Sequence, residues 1–149
     1  MELDPTNPVI ALCAAGMAVA GDPLAAAECF RKAWAARADD CDAAIAAHYL
    51  ARVQSDATGK LTWDSLAAWY AEAALAAGDE RVRGLFASLY LNLGDGLLTV
   101  GRGAEAAAAA ARAEAAVADL PDDGYRDFIA GGIARLRARA ETASSDAAS

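Results

Sequence analysis

Apolar residues recur at intervals of three and four along most of the chain, and short segments rich in glycine, proline and aspartate separate these stretches. The clearest stretch contains Val82, Phe86, Leu89, Tyr90, Leu93, Leu97 and Val100. A similar stretch near the end of the chain contains Tyr125, Phe128, Ile129, Ile133 and Leu136. Such spacing places the apolar residues of each stretch on one face of an α-helix. The pattern therefore predicts an all-α protein.

The separating segments carry recognisable signals for helix ends. Asn7 and Asp22 each precede a proline, which is typical of a capping side chain followed by proline at the first helical position. Gly21 and Gly78 stand where a left-handed glycine would end a helix. These signals predict seven helices, at residues 8–20, 23–37, 42–54, 62–77, 80–100, 103–119 and 123–140. Because most turns are short, consecutive helices are expected to form antiparallel hairpins.

The length of 149 residues fits one domain, which we expect at residues 1–141. The small polar residues 142–149 are expected to form a disordered tail. Alanine occupies 44 positions, so a chain that is 56% hydrophobic has only 7% aromatic residues. Alanine favours helices that approach each other closely and disfavours sheets. This richness in alanine also suggests a bacterial source.

Charge and cysteine content limit the classes of partner and compartment. The net charge of −8 would repel nucleic acid, and we interpret the last arginines as solvated side chains near a helix C-terminus: Arg126, Arg135, Arg137 and Arg139. The apolar run at residues 8–21 is too short to cross a membrane, and no basic residue precedes it as in a signal peptide. Three cysteines without a Cys-x-x-Cys pair indicate reduced thiols, so we expect a cytoplasmic protein.

One skeleton of large and small residues occurs twice with the same spacings. One copy contains Leu93, Gly94, Leu97, Gly101, Ala106 and Ala113, and the other contains Cys13, Ala14, Met17, Gly21, Ala26 and Ala33. This skeleton resembles the tetratricopeptide repeat. A weaker middle copy follows a connection at residues 54–61 that is longer than the family's turn. The resemblance covers residues 8–140, with repeats at about 8–38, 42–77 and 80–119 and a capping helix at 123–140.

The resemblance implies antiparallel helical hairpins stacked as a short right-handed superhelix. Small residues are then expected where the two helices of a hairpin cross: Ala14, Ala47 and Gly94 on the first helices, and Ala26 and Ala106 on the second. The larger residues, among them Met17 and Phe30, are expected to fill the space next to the adjacent repeat. A plain antiparallel helical bundle is the alternative architecture.

The resemblance also implies a protein-interaction module, acting as an adaptor or regulatory protein, whose first helices line a concave face that binds a peptide. In this register the face includes His48, Arg52, Ser88, Leu91, Asn92, Asp95 and Leu98. Arg52 and Leu91 are expected to be dispensable for folding. Chaperone-binding members hold a terminal carboxylate with lysine, arginine and asparagine, for which this chain offers only Arg52 and Asn92. A chaperone peptide is therefore not the expected ligand.

Candidate chemistry depends on His48, the only histidine. It has no carboxylate or cysteine at a metal-ligand spacing, and the sequence contains no nucleophile elbow, phosphate-binding loop or His-Glu-x-x-His motif. We therefore expect no enzymatic activity, no cofactor and no metal. Two alternatives stay open: a homo-oligomer such as a homodimer formed through exposed edges, and a small-molecule-binding or enzymatic bundle around His48 and Arg52.

Overall fold

A computed structural model describes residues 3–147, and between these residues it contains helices and no strand. The α-helices are α1 Pro8–Ala18, α2 Pro23–Ala36, α3 Asp40–Ala51, α4 Ala57–Ala76, α5 Phe86–Thr99, α6 Gly103–Ala116 and α7 Gly124–Ala147. Two short 3-10 helices, Glu80–Leu85 and Val117–Asp119, precede α5 and follow α6. The all-α prediction is confirmed. None of the described helices is both long and apolar enough to span a membrane.

Side-chain caps fix the starts of the first helices. The Asn7 side chain accepts a hydrogen bond from the Val9 N–H at 2.8 Å, and the Asp22 side chain accepts one from the Ala25 N–H at 3.2 Å. The proline after each cap occupies the first turn, where the missing N–H costs nothing. Both predicted starts are therefore confirmed.

One of the two predicted helix-ending glycines behaves as expected. Gly78 has a φ of +88°, and the following Asp79 N–H donates to the Ala74 carbonyl at 2.9 Å, which satisfies a carbonyl of the last turn of α4. Gly21 is not among the residues with positive φ. Helix α1 already ends at Ala18, so the turn before α2 does not need a left-handed residue at position 21.

The first of two compact units runs to Val82, and the second begins at Arg83. The residues of each unit contact mainly other residues of the same unit, and the single domain expected at residues 1–141 stays a prediction. In the first unit, α1 contacts both α2 and α3, α2 contacts α3, and α3 forms a hairpin with α4. Its core includes the large buried residues Val9, Cys13, Phe30, Cys41, Ile45 and Leu50.

Close approach of α1 and α2 depends on Gly16, not on Ala14 as predicted. A Cβ atom at position 16 would lie 2.8 Å from Cδ1 of the buried Phe30 ring and closer still to Cε1. Ala14 is exposed, and Met17 is 38% exposed instead of filling the core. The predicted register fails here because α1 turns its Val9, Cys13 and Gly16 face inward. In a helix with several small residues close together, spacing alone does not determine which of them faces the neighbouring helix.

In the second unit, α5 and α6 form a hairpin and α7 contacts both. Gly94 allows this packing: a Cβ there would lie 2.5 Å from Leu136 Cδ2 and 3.4 Å from both the Ala106 carbonyl oxygen and Ala109 Cβ. Ala106 and Leu136 are fully buried. The predicted crossing of Gly94 with Ala106 is therefore confirmed.

The predicted long connection at residues 54–61 is wrong. Helix α4 begins at Ala57, because the Asp56 side chain caps it by accepting a hydrogen bond from the Gly59 N–H at 2.6 Å. Gly59 looks like a helix breaker in the sequence, but it lies in the first turn, where a capped N–H is needed. Helix α4 is therefore longer than predicted, and the loop before it is short.

The segment for which the sequence predicts a disordered tail is helical as far as Ala147. Ala143 of this segment lies beside the start of α6, since a Cβ placed on Gly103 would be 3.6 Å from Ala143 Cβ. The Thr142 hydroxyl also donates to the Ala138 carbonyl at 3.1 Å within the helix. A segment without a large apolar residue can thus continue a helix by small-residue packing. Residues 148 and 149 of the predicted tail lie outside the described residues.

Candidate functional site

The seven predicted site residues fall on two helices. His48 and Arg52 belong to the α3 region of the first unit, whereas Ser88, Leu91, Asn92, Asp95 and Leu98 lie on α5 of the second.

His48 is half-buried, and its ring centroid lies 5.4 Å from that of Tyr49. Burial, together with the positive charges of Arg52 and Lys60, lowers the pKa of His48 to about 4. The imidazole is therefore neutral at pH 7. Arg52 is exposed at the C-terminal end of α3.

A charged pair on α4, of which Lys60 acts on His48, was not indicated by the sequence. On α4, the Lys60 ammonium donates to Oδ2 of Asp64 at 2.5 Å, and Asp64 is only 1% exposed. The pair has the i, i+4 spacing of a helical ion pair. That signal was missed because the predicted helix began at residue 62, which left Lys60 in a loop. Positive charges from both sides of the α3–α4 hairpin therefore act on His48: Arg52 at the end of α3 and Lys60 on α4.

A second buried acid, Asp42, has a structural role at the start of α3. Its Oδ1 accepts from the Asn7 side-chain amide at 2.9 Å, and its Oδ2 accepts from the Ala38 N–H at 2.9 Å. Asn7 itself caps α1. Asp42 therefore ties the beginning of α1 to the turn that leads into α3, and its exposure of 4% keeps these bonds out of water.

The α5 residues differ in exposure. Ser88, Asn92, Asp95 and Leu98 are partly exposed, as a binding surface requires. Leu91 is buried: its Cδ2 lies 3.0 Å from the position that a Cβ on Gly132 of α7 would occupy. This burial contradicts the expectation that Leu91 is dispensable for folding. The error arises because α7 packs directly against the α5 face that was assigned to the groove.

Helices α5 and α7 together border an open groove of about 540 Å³, which we call the α5–α7 groove. It is lined by Leu98, Thr99, Ala138, Arg139, Thr142, Ala143 and Asp146. At the same junction, Arg139 Nη1 donates to Asp95 Oδ1 at 2.9 Å. The groove lining therefore combines the apolar residues Leu98, Ala138 and Ala143 with hydroxyls and charged groups.

An exposed aromatic residue lies in the first unit. Trp34 packs edge-on against Trp63 and Tyr70, with ring centroids 5.1 and 6.0 Å apart. Trp69 is 64% exposed and contacts the Tyr70 ring at 5.0 Å between centroids. This cluster packs α2 against α4, and Trp69 is its exposed ring.

No group of three or more histidine, cysteine, aspartate or glutamate side chains could hold a metal ion between residues 3 and 147. Comparison with family models, with curated proteins and with solved structures found no significant match.

Proposed function

We propose that this chain is a protein-interaction module, an adaptor or regulatory protein, that binds a peptide segment of a partner in the α5–α7 groove. The observation that carries the proposal is the groove itself: it is open, and residues of two helices line it with the partly exposed Leu98, two alanines and several polar side chains. Apolar grooves with a few placed polar groups are typical binding sites for extended or helical peptides.

The order of helix contacts supports a tetratricopeptide-like arrangement within each unit. Helix α3 contacts both helices of the α1–α2 hairpin, and α7 contacts both helices of the α5–α6 hairpin. This is the arrangement expected when the first helix of one repeat packs on the preceding repeat. In that interpretation α5 and α7 are successive first helices, so the groove between them corresponds to the concave face.

The groove favours a ligand with an apolar side chain and flanking polar groups. An apolar side chain would cover Leu98, which is partly exposed. The hydroxyls of Thr99 and Thr142 already donate to carbonyls of their own helices, so their oxygens face the ligand mainly as acceptors. Arg139, which is paired with Asp95, and Asp146 add polar groups to the groove lining. A peptide with donor groups around one apolar anchor fits this arrangement.

The buried thiols support our proposal of a cytoplasmic location. All three cysteines are free, and burial raises the pKa of Cys13 to about 12 and that of Cys41 to about 11. Both thiols are protonated at neutral pH and act as small core residues. Such a unit suits a reducing compartment.

The test begins with affinity capture to identify a partner, followed by calorimetric titration of the purified partner. Thr142→Arg places a large cation in the groove at an exposed position, so the fold should be retained. We expect binding to weaken at least about tenfold, because the cation occupies the space of the ligand.

The matched control is Ala111→Arg, which adds the same side chain at an exposed position of α6 that does not line the groove. It should leave affinity within about threefold of the unchanged protein. Loss of binding in the control, with retention in Thr142→Arg, would contradict the proposal and move the binding surface to α6.

A further inference from the structure

The outer face of α7 exposes a large aromatic side chain, since Phe128 is 69% exposed. The core stripe of the same helix consists of Ile129, Ile133, Leu136 and Ala140, all buried. Tyr125 stands one turn before Ile129 on that stripe and is 50% exposed at the start of the helix. A large exposed aromatic residue is a suitable anchor for a contact with another molecule.

Gly131 stands near the middle of this outer face, and packing within the chain does not require a glycine there. A Cβ at position 131 would meet only the flexible tip of Arg135, at 3.4 Å. Its neighbour Gly132 differs, because a Cβ there would lie 3.0 Å from Leu91. Apart from proline, glycine is the least favourable residue in a helix interior. A small residue at position 131 is therefore explained best by close approach of another backbone from outside.

The same face is complementary to itself. Asp127 and Arg135 stand four residues before and after Gly131, and Phe128 and Ala134 stand three residues before and after it. If two such helices cross antiparallel at Gly131, Asp127 of each copy lies opposite Arg135 of the other. Each Phe128 ring then lies opposite the small, exposed Ala134. A two-fold contact pairs surfaces in this reciprocal way.

The charges that this contact needs are available. Arg137 pairs with Glu114 and Glu141, and Arg139 pairs with Asp95. Within the part of the chain that the structure describes, neither Arg135 nor Asp127 forms an ion pair. Although the chain has a net charge of −8, α7 carries four arginines against three acidic residues, so two α7 helices would not repel each other strongly.

We propose that two copies of the chain associate through the outer faces of α7, antiparallel and crossing at Gly131. Phe128 packs on Ala134 of the other copy, and two reciprocal pairs between Asp127 and Arg135 set the direction and register of the contact. A second copy of the chain provides the complementary groups itself, because it places Arg135 opposite Asp127 and Ala134 opposite Phe128.

A charge-exchange experiment tests this contact on the full chain, with sedimentation equilibrium as the measurement of dimer dissociation. Asp127→Arg and Arg135→Asp each create two like-charge pairs, so each should weaken the dimer at least about tenfold. The double variant restores opposite charges and should dimerise within about threefold of the unchanged chain. Lys32→Glu, an exposed charge reversal on α2, is the control and should leave the dimer unchanged.

A second variant tests the crossing point. Gly131→Leu should abolish the dimer while leaving the helical circular dichroism and melting temperature of the monomer unchanged or higher, since within the chain its Cβ meets only the flexible tip of Arg135. The proposal is overturned if the chain stays monomeric up to about 1 mM. It is also overturned if the single charge variants dimerise normally, or if the double variant fails to recover while remaining folded.

Discussion

Replacing Gly94 by alanine is the most direct test of the hairpin packing in the second unit. The added Cβ would lie 2.5 Å from Leu136 Cδ2, whereas carbon atoms normally approach to about 3.5–4.0 Å. Leu136 is fully buried, so its methyl group has no solvent to move into. The methyl and its neighbours must therefore shift by about 1 Å within a packed core.

Two opposing effects determine the change in stability. Alanine in place of glycine in a helix interior stabilises by about 0.5–1 kcal/mol. Overpacking of a buried site costs about 1–3 kcal/mol. Gly131→Ala on α7 receives the same helix-propensity gain without the overpacking, because its Cβ meets only the tip of Arg135. The difference between the two variants, about 1–3 kcal/mol, isolates the steric term.

Urea unfolding followed by circular dichroism measures this difference, at one low protein concentration for both variants so that self-association contributes little. Both substitutions lie in the second unit, so they act on the same transition. We expect Gly131→Ala to unfold at a higher urea concentration than the unchanged chain and Gly94→Ala at a lower one. If Gly94→Ala were stabilised as much as Gly131→Ala, the close contact of α5 with Leu136 would be refuted.

Three further substitutions or conditions have expected outcomes. The pKa of His48 is about 4 in the folded protein and 6.5 in the unfolded chain, so the unfolded state takes up its proton first as the pH falls. The free energy of unfolding should therefore decrease by at most about 2 kcal/mol between pH 7.5 and 5. Urea titrations measure this decrease, and His48→Gln should remove it. Asp42→Ala leaves the Asn7 amide and a backbone N–H without their acceptor and should cost about 1–3 kcal/mol, whereas the exposed Asp40→Ala should change the free energy of unfolding by less than about 1 kcal/mol. Gly16→Ala should lower the melting temperature more than Gly94→Ala does, because a rigid aromatic ring, and not a leucine methyl, must move.

Local signals in the sequence predicted the features that local interactions determine. A capping side chain bonds to an N–H two or three residues away, so the starts of α1 and α2 follow from Asn7 and Asp22. The contact of Gly94 with Ala106 is longer in range, but it lies within one hairpin joined by a short turn. Its position was therefore fixed once the turn was placed correctly.

The wrong predictions concern contacts between helices, because the sequence does not state which helix packs on which face of another. Whether Leu91 faces solvent depends on α7, which follows it by more than thirty residues, and no local pattern states that α7 covers α5. The choice between Ala14 and Gly16 depends on how α1 is rotated about its axis, and an alanine-rich helix offers little difference in size to fix that rotation. Lys60 and Asp64 were missed for a simpler reason, since the cap at Asp56 extends α4 over Lys60.

The distribution of buried thiols gives this chain a built-in reporter of local opening. All cysteines lie before residue 42, and the second unit contains none. With pKa values raised to about 12 and 11, Cys13 and Cys41 react with alkylating reagents only when their surroundings open and expose them. The alkylation rate of these two thiols therefore follows the fluctuations of the first unit alone. Compared with amide hydrogen exchange over the whole chain, it distinguishes two units that open independently from a single cooperative structure.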